Sequence, residues 1–92
     1  MDTLAAIAII LDIALEENTT EFNINFDPEG DCIIEIIVKV LNPRAHNDKL
    51  IDFPNTVDEA VMEDCNGLKS ITHWDNARKL YVIRLYERTK DQ

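Results

Sequence analysis

The first pattern along the chain is an apolar run over residues 4–15, interrupted by Asp12 and closed by Glu16 and Glu17. At 100° per residue Leu4, Ile7, Leu11, Ala14 and Leu15 fall on one stripe, with Ile10 at its margin, and the spacing predicts a helix that buries this stripe. Ile9 and Ile13 fall on the far side, near Ala6 and Glu16, so the helix keeps an apolar flank beyond one packing surface. Asp2 or Thr3 supplies an N-cap. The run is short of the roughly 20 apolar residues that cross a bilayer. It also lacks the positive leader and small-residue cleavage site of a secretory signal, which points to an intact cytosolic chain.

The period then changes from 3.6 to 2. Residues 21–27 alternate, with Phe22, Ile24 and Phe26 on one face and Glu21, Asn23, Asn25 and Asp27 on the other. Asp27-Pro28-Glu29-Gly30-Asp31 is turn chemistry, because Pro presets φ and Gly tolerates positive φ. Residues 32–40 form a second strand with Cys32, Ile34, Ile36, Val38 and Val40 uniformly apolar; Ile33, Glu35, Ile37 and Lys39 make its other face only partly so.

A loop is expected over residues 42–55, with Pro43 and Pro54 as punctuation and Leu50, Ile51 and Phe53 as anchors. Thr56-Val57-Asp58-Glu59 matches a capping box, opening a helix of about ten residues that stops at Asn66-Gly67. Val57, Val61, Cys65 and Leu68 mark its buried side, while Asp58, Glu59, Glu63 and Asp64 face outward. Residues 69–74 and 79–88 read as a second hairpin turning at Asp75-Asn76. Tyr81, Ile83 and Leu85 point one way; Arg78, Leu80, Val82, Arg84, Tyr86 and Arg88 point the other. The expected fold is α+β: a single domain over residues 1–92 in the order αββ-αββ, with a four-stranded antiparallel sheet and helices mainly on one face.

Charge changes this picture more than composition does. The net charge is −9, yet residues 1–38 hold nine acids and no Lys or Arg, whereas residues 39–92 hold nine of each sign. Such asymmetry suits a cationic partner as well as solubility. Glu21, Asp27, Glu29, Asp31 and Glu35 form the acidic candidate surface, a row of carboxylates suited to Lys and Arg side chains. Arg78, Arg84, Tyr86 and Arg88, with Lys79 and Lys90 nearby, form a basic candidate surface for RNA backbone or an acidic protein patch. The overall negative charge argues against binding free double-stranded DNA.

No catalytic or cofactor motif accompanies these surfaces. Cys32, His46, Cys65 and His73 lack the close pairing of zinc ligands, and the two cysteines read as buried thiols. The only glycines, Gly30 and Gly67, build no phosphate loop, so neither a catalytic residue nor a cofactor is expected.

A compact acidic chain beginning MDTLAAIAIILDIALEENTTEFNINFDPEGD resembles the phage-encoded anti-CRISPR proteins of the type I-F class. The resemblance implies a non-enzymatic inhibitor in the cytoplasm of an infected bacterial host. It would bind Cas proteins of the crRNA-guided (Csy) surveillance complex and block target-DNA recognition, and the guide RNA would give the Arg84 face a role. A second reading has Ile9, Ile13, Ile33 and Ile37 forming the symmetric apolar interface of a homo-oligomeric structural or adaptor protein.

Overall fold

The computed structural model describes residues 3–16, 21–39 and 52–88. Val40, His46, Leu50, Ile51 and Lys90 lie outside them, as does most of the loop expected over residues 42–55. The elements are α1 (Thr3–Glu16), β1 (Glu21–Asn25), β2 (Ile34–Lys39), α2 (Asp52–Asp64), β3 (Leu68–Asp75) and β4 (Leu80–Glu87). They make the expected α+β domain, with an antiparallel sheet in the order β1-β2-β4-β3. The strand β4 fills the slot between β2 and β3, which are parallel to each other because each is antiparallel to β4.

Strand alternation decides the core. Ile34, Ile36 and Val38 of β2 and Tyr81, Ile83 and Leu85 of β4 project to one face, where they join Ala6, Ile7, Ile10 and Ala14 of α1 and Val57 and Val61 of α2 in a single cluster. Both helices therefore cover the same face of the sheet. Phe22 and Ile24 extend the cluster onto β1, while Cys32 and Cys65 are buried.

The azimuth of α1 differs from the expected one. Ala6, Ile7, Ile10 and Ala14 are buried, whereas Leu4 and Leu15 stand 80% and 53% exposed. Ile9 and Ile13, expected on a spare flank, pack against the core. The helix is apolar around most of its circumference, so hydrophobic spacing alone picks no unique direction. The small side chains of Ala6 and Ala14 favour close approach, and that turns Leu4, Ala8 and Leu15 to solvent.

Helix α2 starts a turn before the expected capping box, so Thr56 and Glu59 lie inside it. Pro54 is tolerated because the first turn of a helix leaves its N–H groups without intrahelical acceptors. Phe53 decides the matter: it is buried, with its ring 4.4 Å from that of Tyr81, which in turn lies 4.9 Å from Trp74. The turn that follows the helix contains Gly67, whose φ of 86° is the left-handed conformation that follows helix ends and suits glycine.

Candidate functional site

The five acidic candidates divide into two groups. Glu21 and Glu35 lie on the sheet face that carries no described helix. Glu21 is 3.4 Å from Lys39, its neighbour on β2, and Glu35 is 3.1 Å from Arg84 Nε on β4. The Glu21 pair is exposed on both sides and contributes little to stability.

Asp27, Glu29 and Asp31 occupy the connection between β1 and β2. All three are exposed, and none meets a cation within ion-pair distance among the described residues. Strand β1 stops at Asn25, whose Oδ1 accepts the Asp27 N–H at 3.1 Å. Phe26, expected on the buried side of that strand, consequently stands 68% exposed beside Asp27. The sequence signal for this was the Asp27-Pro28 step, which ends a strand, overridden by the alternation of Phe22, Ile24 and Phe26.

Register extends the acidic connection into a larger feature. Ile34 pairs with Leu85 and Leu68 with Glu87, so the β1–β2 connection, the end of β4 and the start of β3 lie at one end of the sheet. Helix α2 also finishes there, at Asp64, four residues before Leu68. Asp27, Glu29, Asp31, Glu63, Asp64 and Glu87, all exposed, thus share this end of the sheet, with exposed Phe26 on the β1 side and exposed Met62 on α2 beside β3.

Arg88 lies at the same end, but its side chain turns onto backbone carbonyls rather than onto these carboxylates. Alternation along β4 would place its side chain with Arg84 and Tyr86, as expected from the sequence. Instead its Nη2 donates to the carbonyls of Leu68, Met62 and Cys65 at 2.7, 2.9 and 3.3 Å, and its Nε donates to Leu68 at 3.1 Å. The last carbonyls of α2 have no intrahelical donors and attract a cation. Arg88 is a helix clamp rather than a member of the basic face.

Arg78 leaves that face too. It sits in the four-residue turn between β3 and β4, where Asp75 accepts its Nε at 2.7 Å and its backbone N–H at 3.1 Å. The Arg78 hydrogen bonds hold the Asp75 carboxyl below its ordinary pKa. Lys79, at φ 57°, completes the turn. Arg84 and half-buried Tyr86 remain together on the uncovered sheet face, Arg84 engaged by Glu35.

Asp58, expected to face water, is also drawn inward. It accepts the hydroxyls of Ser70 and Thr72 from β3. A groove of about 280 Å³ beside it is lined by Asn55, Asp58, Glu59, Met62, Lys69 and Ser70. The expected apolar interface is not one patch either, because Ile9, Ile13 and Ile33 pack against the core while Ile37 lies on the opposite face of the sheet. Among the described residues no three His, Cys, Asp or Glu side chains converge as metal ligands would, and no helix is long and apolar enough to cross a membrane. Comparison of the chain with protein families, with curated proteins and with solved structures finds no match.

Proposed function

We propose that this chain is a non-enzymatic binding protein that presses its carboxylate-rich end onto a cationic protein surface. The partner in this reading is a crRNA-guided surveillance complex of the type I-F kind, whose target-DNA recognition it blocks inside the infected bacterial cell. The observation that carries the reading is the placement of Asp27, Glu29, Asp31, Glu63, Asp64 and Glu87 at one end of the sheet while the Arg88 guanidinium turns onto the carbonyls of Met62, Cys65 and Leu68.

Lys and Arg side chains that grip a nucleic-acid backbone present a dense positive surface, which carboxylates match in sign. Phe26 and Met62 add apolar contact within the acidic rim, the arrangement in which an aromatic anchor contributes most. Arg84, held by Glu35, has a secondary place in this reading, as a contact to guide RNA.

The test mixes the purified chain with a surveillance complex and follows co-elution and target-DNA binding. Co-elution with loss of DNA binding is expected, weakening as salt rises because exposed charges are screened. Reversing Asp27, Glu29 and Asp31 together to Lys should weaken binding about tenfold or more, since three rim charges change sign. Unchanged affinity in a folded triple variant removes this surface from the proposal.

A further inference from the structure

The sheet face opposite the helices is built in rows. Asn23, Ile37, Val82 and His73 lie side by side across β1, β2, β4 and β3. Asn25, Glu35, Arg84 and Ile71 form the row on one side of them, and Glu21, Lys39, Leu80 and Asp75 the row on the other. No described element covers this face, yet Val82 at its centre is only 4% exposed and Ile37 beside it is half-buried. Side chains normally turned to water would not supply an Ile-Val centre, and the main core cluster does not include Val82.

Two features at opposite corners of this face complement each other. Ile71 projects from edge strand β3 and is 53% exposed. Diagonally across, a shallow hollow of about 170 Å³ is lined by Glu21, Phe22, Asn23, Ile37, Lys39 and Leu80. A hollow near 150 Å³ is enough to admit a group the size of benzene. If a two-fold axis runs along the other diagonal, the Ile71 of each copy enters the hollow of its partner, the reciprocal contact that an isologous interface requires.

Electrostatics favours the same occupant. The charges in these rows are balanced: Glu21 is met by Lys39 and Glu35 by Arg84 on the face itself, and Asp75 by Arg78 from the adjoining turn. Elsewhere the molecule is strongly acidic within a total of −9, so two copies repel on most approaches. A cationic partner is drawn to the acidic end rather than to this face, and nucleic acid meets no net positive surface here. A second copy brings the same neutral pattern with an apolar centre.

We infer that this sheet face is the interface of a two-fold homodimer, with Ile71 of each protomer seated in the hollow between β1, β2 and β4 of the other. Four strands about 4.8 Å apart and six residues deep give a plane of about 19 × 20 Å. Two such planes bury roughly 800 Å² in total, below the ~1,200 Å² at which stable interfaces begin, so the dimer is a weak, transient one that forms only in the upper micromolar range. The inference is independent of the proposed surveillance-complex partner.

The test is sedimentation equilibrium of the full chain from about 5 to 500 μM, a span set by that expected range. Wild type should approach twice its 10.6 kDa mass, with added salt leaving association unchanged or stronger because only net repulsion is screened. Ile71→Glu at the knob and Asn23→Arg at the rim of the hollow should each weaken association by tenfold or more. Leu4→Glu, at an exposed position on α1, should not. Far-UV circular dichroism identifies folded variants, and the two substitutions test the two corners separately. A wild type that stays monomeric throughout overturns the inference, as does full dimerisation by both folded outer-face variants or loss of the dimer through Leu4→Glu.

Discussion

Ser70 donates its hydroxyl proton to Oδ1 of Asp58 at 2.6 Å, and Thr72 donates to the same oxygen at 2.8 Å. One carboxylate oxygen on α2 thereby holds two hydroxyls two residues apart on β3, on the face where strand alternation turns them toward the helix. Hydrogen bonds to a charged acceptor are short and about twice as strong as neutral ones, and Ser70 is itself buried. Replacing Asp58 by Ala leaves both hydroxyls without this acceptor. Urea unfolding should show a loss of about 1–3 kcal/mol for Asp58→Ala, less for Asp58→Asn, which keeps an acceptor. The exposed neighbour Glu59→Ala should stay within about 0.5 kcal/mol of wild type.

Arg88 secures the other end of α2. Removing its guanidinium frees the carbonyls of Met62, Cys65 and Leu68 from their charged donor. Arg88→Ala should destabilise the fold by about 1–3 kcal/mol, and Arg88→Lys should recover only part of this, because an ammonium lacks the planar fork. Thermal and urea unfolding check the stability. Partner affinity per folded molecule should hardly change, which separates the clamp from a recognition residue.

The Asp75 carboxyl titrates below its ordinary value because Arg78 hydrogen-bonds it through side chain and backbone. A folded pKa below the unfolded one means the stabilising contribution is present above about pH 3.9, the unperturbed Asp value, and fades as pH falls through the lowered folded value. A carboxyl-detected NMR titration should find Asp75 below the ordinary aspartate value. Arg78→Ala should move its midpoint upward. An unmoved midpoint would assign the shift to another cause.

The azimuth of α1 can be read by substitution. Ile10 is fully buried, so Ile10→Ala should cost about 2–5 kcal/mol. Leu4→Ser and Leu15→Ser remove side chains that face solvent and should each change stability by no more than about 0.5 kcal/mol. The reverse ranking would restore the stripe that hydrophobic spacing predicts. Chemical denaturation of the three variants decides between them.

Much of the candidate site was legible only by type. The carboxylates of residues 27–31 are exposed as turn chemistry demands, since Pro28 and Gly30 disfavour regular structure and solvent is the default for unpaired charge. The partners of Glu21 and Glu35 were not legible, because cross-strand neighbours depend on register between segments distant in sequence. Nor was the role of Arg88, 20 residues beyond the Leu68 carbonyl it binds.

What the chain determined by itself was local. Alternation in β2 and β4 specified which side chains enter the core, because a strand has two faces and one was apolar without interruption. The 3.6-residue spacing of Val57, Val61 and Cys65 likewise oriented α2, whose opposite side is charged. Tertiary structure decided wherever the sequence offered near-equal choices: the rotation of the evenly apolar α1, the early start of α2 where Phe53 finds Tyr81, and the inward turn of Asp58 and Arg88. In each case the outcome rests on a contact between distant segments, whose energy no local pattern encodes.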